Sequence, residues 1–291
     1  MVFGRVVSRV LLPIVLSSFV CGLAACTPEA PDSPLASAAS ALKVCPPGDT
    51  VSGVDVSYWQ GAIDWEAVAQ SGIVFAIARA AHGTSKDTFF DQNWAAIRAH
   101  GMVRGAYLFY EPGKDTLTQA KVVVDAVGML GEGDLPVTID VEWNDYGDPN
   151  ATDLALLADR IEEGTGKRPM IYTAVGYWDP LFDTEFGDLD LWVANWQATC
   201  PLIPSSWSGW EFWQTTGGGG TVPGIAGGVD TDLFNGSAAE LAVASGQPAG
   251  TGCSIREVLA CHRAGRQCAD AVCLDPVPDP DPADAGPDAA D

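Results

Sequence analysis

Residues 136–143 read PVTIDVEW and carry two acids at the end of an otherwise apolar run. The apolar part predicts a buried strand, and residues i and i+2 of a strand point to the same face. Asp140 and Glu142 are therefore expected to share a face. Carboxylates in such a place are unfavourable unless they are paired or take part in chemistry. We interpret this strand as the carrier of a reactive acidic pair.

Similar strand-like runs alternate with amphipathic segments along residues 48–245. The runs lie at 51–56, 73–79, 103–110, 136–142, 169–173, 191–196, 210–215 and 229–234, and helices are predicted at 64–70, 89–99, 116–130 and 152–163. Asp64 is the predicted N-cap of the first helix and Thr152 that of the last. This alternation predicts an α/β fold with a parallel sheet covered on both faces. About eight strands favour a barrel over an open sheet. The second half has few helical segments, so a regular eightfold barrel is not expected.

The segments on either side of this domain have a different composition. Residues 1–25 combine two arginines with a short apolar run, which is typical of a signal peptide. Residues 23–26 (LAAC) resemble a bacterial lipobox, which implies a lipid anchor on Cys26; an ordinary secretory signal cut near Ala25 is the alternative. Residues 26–47 are interpreted as the lipidated cysteine with a flexible tether, 246–274 as a cysteine-rich appendix and 275–291 as a disordered tail. We expect an exported protein of the cell envelope, either membrane-anchored or secreted.

Six cysteines remain after Cys21 and Cys26, an even number that an exported chain can oxidise. Four of them lie within residues 253–273 and are expected to pair with one another. Cys45 and Cys200 would then form the remaining disulfide. Zinc bound near His262 is an alternative, although no C-x-x-C pair occurs.

The charge of the chain limits its partners. It has 38 acidic and 15 basic residues and a net charge of −23, which argues against nucleic acid because phosphate binding needs a basic face. No G-x-S-x-G or H-E-x-x-H motif occurs. Residues 217–220 (GGGG) lack the lysine of a phosphate loop and are expected to form a mobile loop over the site. We predict a monomer without metal or cofactor.

The acids at the strand ends indicate the chemistry. Active sites of βα barrels form at the C-terminal ends of the strands, where Asp55, Asp140, Glu142 and Asp230 are predicted to lie. Two neighbouring carboxyls perturb each other, so that one keeps its proton while the other stays charged. Glycoside hydrolysis needs such a pair, although the spacing alone does not choose between inversion and retention.

Aromatic residues are frequent near the same strand ends. They include Tyr107, Phe109, Tyr172 and Trp196. Sugar rings stack on such side chains, so a carbohydrate groove is predicted. Two alternatives stay open: the aromatics belong to the core, and the acids cap helices or pair with Arg79 or Arg168.

Several blocks occur in the order seen in one known family. They are GVDVSYWQGAIDW (53–65), GAYLFY (105–110), VTIDVEW (137–143), PMIYTAVGYW (169–178), LWVANW (191–196), FWQTT (212–216) and GVDTDLFNG (228–236). Over about residues 51–236 the chain resembles glycoside hydrolase family 25, the Chalaropsis-type muramidases. The resemblance implies a flattened, TIM-barrel-like (β/α)5(β)3 fold. It also implies cleavage of the β-1,4 bond between N-acetylmuramic acid and N-acetylglucosamine, with the glycan strands of peptidoglycan as partner.

The resemblance also implies roles for individual residues. Glu142 would be the general acid, and Asp140 would stabilise the oxocarbenium-like or cyclised intermediate. Asp55 and Asp230 would complete the acidic cluster. The groove would be lined by Tyr107, Tyr172, Trp196 and Gln214.

The chain departs from the family at two positions, and alternatives to a muramidase remain. Thr231-Asp232 stands where Leu-Asn is commoner, so that the extra acid either raises neighbouring pKa values or faces solvent; Trp196 stands where Tyr is common. The first alternative is a chitinase or endo-N-acetylglucosaminidase, although the D-x-x-D-x-D-x-E run of such enzymes is absent. The second is a non-catalytic, peptidoglycan-binding envelope lipoprotein.

Overall fold

A computed structural model describes residues 41–246, 267–269 and 272–274. The predictions for the signal peptide, the lipid anchor and the tail lie outside the described residues. Eight strands close into a barrel in the order β1-β8-β7-β6-β5-β4-β3-β2, and β2 pairs back with β1. The strands are β1 (Val51–Val56), β2 (Phe75–His82), β3 (Val103–Phe109), β4 (Thr138–Asp140), β5 (Met170–Thr173), β6 (Leu191–Ala194), β7 (Phe212–Gln214) and β8 (Asp230–Phe234).

Helices follow the first strands and become scarce later, as the sequence predicts. They are α1 (Trp65–Gln70), α2 (Phe90–Ala99), α3 (Thr116–Val127), α4 (Ala151–Thr165), α5 (Val175–Trp178) and α6 (Ala238–Ala244). Asp64 caps α1 through the backbone N–H of Ala67, as expected. The predicted cap of α4 at Thr152 is wrong, because the Asn150 side chain accepts from the backbone N–H of Asp153 and α4 begins at Ala151.

The barrel is not parallel throughout. Strands β1 to β7 pair in parallel wherever they are neighbours, but β8 runs antiparallel to both β7 and β1. The predicted parallel pairing therefore holds for β1 to β7, and β8 is the exception. A parallel strand needs a crossover that carries the chain back along the barrel, and residues 215–229 contain no helix to do so.

The two ends of the barrel interior differ in character. At the end where the parallel strands begin, Phe212 packs against Phe75 and Phe234, with ring centroids 5.3 and 5.2 Å apart. A side chain at Gly53 would collide with the Phe75 ring, so glycine is required there. The aromatic residues close this end, and the polar ends of the strands gather at the other.

A disulfide holds the start of the domain to a later loop. Cys45 is bonded to Cys200 across 155 residues, which confirms that predicted pair. Beside it, Leu42–Lys43 pairs antiparallel with Leu202–Ile203. In the appendix, Gln267–Ala269 pairs antiparallel with Val272–Leu274, and the register sets Cys268 opposite Cys273. The remaining cysteine pairings stay predictions. Among the described residues, no helix has the length and apolar character needed to cross a bilayer.

Candidate active site

A cavity of about 260 Å³ opens at the C-terminal end of the parallel strands. It collects side chains from β1, β3, β4, β5, β6, β7 and β8 and from the loops that follow them. Its walls are formed by Asp55, Tyr107, Asp140, Glu142, Tyr172, Trp192, Trp196, Gln214, Gly217, Gly218 and Asp230. The structure therefore brings together all four predicted acids and four of the five predicted groove residues.

The acidic pair faces the cavity although only one member belongs to the strand. Strand β4 ends at Asp140, two residues earlier than the sequence predicts, and Glu142 lies in the loop beyond. The backbone N–H of Val141 still donates to the carbonyl of Tyr172 on β5, 2.9 Å away. This hydrogen bond keeps the chain extended past the strand end, so the alternation of side chains persists. Val141 is buried, and the acids on either side of it both reach the cavity.

The amide of Gln214 joins three parts of the cavity wall. Its Nε2 donates to Asp55 Oδ2 at 2.8 Å. Its Oε1 accepts from the hydroxyl of Tyr172 and from Nε1 of Trp196, each at 2.8 Å. The two donors fix the orientation of the amide, because the opposite orientation would point NH₂ at them. Gln214 thus holds an acid and two ring systems in place, which is more than the groove-lining role predicted for it.

Burial and mutual repulsion raise the pKa values of the acidic cluster. Burial, followed by the charge of Asp230, raises the pKa of Asp55 well above its usual value. Burial and the charge of Glu142 do the same to the pKa of Asp140, and the guanidinium of Arg79 opposes this effect. Burial and Asp230 raise the pKa of Glu142 to about 7. Glu142 therefore changes its protonation near neutral pH, as a general acid must.

Two alternatives for the acidic pair do not hold in the structure. Arg79 forms an ion pair with Asp87 at 2.9 Å, and Arg168 lies against Asp159 and Glu162 of α4. Neither arginine is bonded to Asp140 or Glu142 among the described contacts. Within the described part of the chain, Asp140 Oδ1 is buried and has no hydrogen-bond partner. The pair is thus neither a helix cap nor a structural ion pair, and both acids line the cavity.

Phe109 does not line this cavity, so its assignment to the groove stays a prediction. Phe109 ends β3 and packs on His82 with ring centroids 4.3 Å apart. Its neighbour Tyr107 lies on the cavity wall. Trp192, one of the aromatic residues near the strand ends but not a predicted groove residue, also lies on the cavity wall. The available signal was the two-residue period of LWVANW, which puts Trp192 on the same face as Trp196.

The glycine loop is part of the cavity wall. A Cβ at Gly217 would lie 2.7 Å from the indole of Trp196, so only glycine allows this close packing. The backbone N–H of Gly218 donates to Asp230 Oδ1. The loop therefore lies at the site as predicted, and its mobility stays a prediction.

A second cavity of about 310 Å³ adjoins the first. Its walls are Glu142, Trp143, Tyr172, Ala174, Ala194, Asn195 and Trp196. Three of these residues, Glu142, Tyr172 and Trp196, also line the first cavity. The indoles of Trp143 and Trp196 are largely exposed, at 63% and 54%. The two cavities thus form one groove with exposed aromatic walls and with Glu142 at its junction.

Comparisons with known proteins agree on one family. The sequence model of "Glycosyl hydrolases family 25" matches residues 54–225. The chain is 35% identical to "Lysozyme M1" of Streptomyces globisporus, over 67% of this chain and 72% of that protein. It is 28% identical to the "N,O-diacetylmuramidase" of Arthroderma benhamiae, over 70% of this chain and 90% of that protein. The solved structure of the bacterial lysozyme from Streptomyces coelicolor matches with a TM-score of 0.63 and 32% identity, covering 67% of this chain and 96% of the other.

Proposed function

The chain belongs to glycosyl hydrolase family 25, and on this basis we propose that it is a muramidase acting on peptidoglycan. The bond cleaved is the β-1,4 linkage between N-acetylmuramic acid and N-acetylglucosamine. Its named relatives are a lysozyme and a diacetylmuramidase, so a chitinase-like enzyme or a non-catalytic binder is not favoured.

The position of Glu142 at the junction of the two cavities is the observation that carries this proposal. A glycan lying through both cavities places its scissile oxygen beside this carboxyl. With a pKa of about 7, Glu142 keeps its proton in mildly acidic and neutral solution. It can then protonate the leaving oxygen as the bond breaks.

Asp140 is proposed to stabilise the positive charge that develops at the sugar carbon. It lies deeper than Glu142, and its Oδ1 has no partner among the described residues. Its carboxyl lines the cavity and can accept the N–H of the substrate's acetamido group, which orients the group for cyclisation onto the sugar carbon. Arg79 favours the charged form of Asp140 that this role needs. Protonation of Glu142 also favours the charged form of Asp140, because it removes the neighbouring negative charge.

The aromatic walls are proposed to hold the glycan by stacking. Trp196 is held by its hydrogen bond to Gln214, and its indole borders both cavities. A ring fixed in this way offers an apolar face to a sugar without losing rotamer freedom on binding. Tyr172 is held by the same amide and lies on the wall at the junction.

The test is Glu142→Gln, assayed on purified peptidoglycan with analysis of the products. Loss of the acid should lower kcat about 10²- to 10⁴-fold, because the leaving oxygen is no longer protonated. Asp145→Asn is a matched control, since Asp145 is an exposed acid of the same loop. The wild-type enzyme should release fragments with reducing-end N-acetylmuramic acid. Reducing-end N-acetylglucosamine would indicate the alternative glycosidase, and an unchanged rate for Glu142→Gln would refute the assignment.

We propose further that the enzyme is exported and anchored as a monomer through a lipid on Cys26. The support is the LAAC sequence at residues 23–26 after a charged and apolar leader, followed by a tether to a catalytic domain at 48–245. The family match at 54–225 falls within that domain. Replacing Cys26 by serine should move the protein from the membrane fraction to the soluble fraction. Retention of the variant in the membrane would contradict lipid anchoring.

A further inference from the structure

One acid next to the active site has no part in the mechanism above. Asp232 lies on β8 two residues after Asp230 and is 1% exposed. It is not on the cavity wall, and its strand register places it opposite Gly53, one step deeper in the barrel. The alternative that this acid faces solvent is therefore wrong.

The hydrogen bonds of Asp232 leave one oxygen unused. Its Oδ1 accepts from Nε1 of Trp192 at 2.9 Å. Its Oδ2 is buried and finds no partner among the described residues. An ionised carboxylate with one uncompensated oxygen is strongly unfavourable inside a barrel. A proton on Oδ2 removes the charge and turns this oxygen into a donor.

A hydrogen-bond acceptor for the protonated Oδ2 lies on the neighbouring strand. In the antiparallel pair of β1 and β8, Asp55 is opposite Asp230 and Gly53 is opposite Asp232. Asp55 and Asp232 are thus diagonal neighbours, and both side chains are buried inside the barrel. Each carboxyl perturbs the pKa of the other, so the two groups lie close together. Asp55 Oδ2 is already bonded to Gln214, which leaves its other oxygen for Asp232.

We propose that Asp232 is a positioning residue. It holds a proton on Oδ2 and donates a hydrogen bond to Asp55 through it. The proposal rests on the muramidase function and deepens it. Asp55 receives one hydrogen bond from Gln214 and one from Asp232, so it is fixed as an acceptor on the cavity wall. Asp232 itself does not touch the substrate, because it is buried and does not line the cavity.

The charges around Asp232 favour its neutral form. Burial raises the pKa of Asp232 well above its usual value, the charges of Asp55 and Asp230 raise it further, and the indole of Trp192 opposes them. The other polar groups of the barrel interior around this acid are Gln214 on β7, Tyr107 on β3, Tyr172 on β5 and Asp140 on β4, with the cation of Arg79 on β2. Arg79 is engaged by Asp87, so it does not neutralise Asp232.

The test compares Asp232→Asn with Asp232→Leu in the full-length protein. Asparagine keeps an acceptor for Trp192 and a donor for Asp55, whereas leucine removes both. On peptidoglycan, Asp232→Asn should stay within about threefold of wild-type kcat. Asp232→Leu should lose about tenfold or more in kcat with little change in KM, because the residue does not contact the substrate. Equal losses in the two variants would refute the proposal.

Unfolding measured against pH tests the proton without any substrate. The folded wild type holds a proton on Asp232 that the unfolded chain releases above about pH 4, and Asp232→Asn has none to release. As pH rises from about 5 to 7, the folding constant of the wild type should therefore fall relative to Asp232→Asn, by up to about tenfold per pH unit. If the folding constants of the wild type and Asp232→Asn changed in parallel with pH, a protonated Asp232 would be refuted. This result would hold even if the wild type proved inactive on peptidoglycan.

Glu211→Gln is the matched control for both measurements. Burial, with the charges of Asp190 and Glu240, raises the pKa of Glu211 to about 7, but Glu211 lies outside the cavity. This variant should change the pH dependence of unfolding and leave kcat unchanged. If Asp232→Leu likewise changes only the pH dependence of unfolding and leaves kcat unchanged, Asp232 has only a structural role and the proposal fails.

Discussion

Replacing Asp230 by asparagine should make Glu142 a stronger acid. Glu142 has a pKa of about 7 because it is buried and because Asp230 is negatively charged. The amide of asparagine has nearly the same shape as the carboxyl and keeps an oxygen for the N–H of Gly218. The substitution therefore removes the charge while leaving the hydrogen bond to the glycine loop.

The structure limits the size of this effect. The pKa of Glu142 rises from 4.5 to about 7, and burial is the larger of the two causes. The charge of Asp230 therefore accounts for less than half of the rise, so its removal should lower the pKa by up to about one pH unit, or about 1.4 kcal/mol. At pH 7 the protonated fraction of Glu142 would then fall from about one half to about one tenth.

The assay is kcat/KM on soluble peptidoglycan fragments between pH 4 and 9, because this ratio reports the pKa values of the free enzyme. The alkaline limb of the profile should move to lower pH in Asp230→Asn. Asp159→Asn is the control: it removes one charge from the exposed face of α4 and should leave the limb in place. An alkaline limb that stayed fixed or moved to higher pH in Asp230→Asn would refute the assignment of this limb to Glu142.

Two further predictions concern the loop and the disulfide. Gly217→Ala puts a methyl 2.7 Å from the Trp196 indole and should displace it from Gln214, raising KM about 3- to 10-fold. Gly219→Ala, where nothing lies within 4 Å, should leave KM unchanged, and equal KM values for the two variants would contradict the packing role. Replacing Cys45 and Cys200 by serine opens a 155-residue connection and should lower the free energy of unfolding by about 2–5 kcal/mol in denaturant titrations, with kcat retained. An unchanged denaturation midpoint would contradict that prediction.

Much of the fold could be predicted from sequence periodicity and caps. The apolar runs predict all eight barrel strands, and Asp64 predicts the start of α1, because both features depend on residues close in the chain. Strand ends were predicted less well, because β4 is three residues long instead of seven. The apolar run continues beyond the residues that are hydrogen-bonded to the neighbouring strands. The reversed direction of β8 depends on how the chain returns from β7, which periodicity does not encode.

The sequence by itself determined the acidic pair, the alternation that turns both acids to one face, and the pairing of Cys45 with Cys200. Only the tertiary structure decided which distant residues meet this pair. Asp55 and Gln214 are 159 residues apart and become bonded because closure of the barrel brings β1 near β7. The same closure buries Asp232 and brings Trp192 to the cavity wall, while Phe109 lies off it. Local patterns fix the face of a side chain, whereas its partners and its pKa depend on neighbours that the folded barrel supplies.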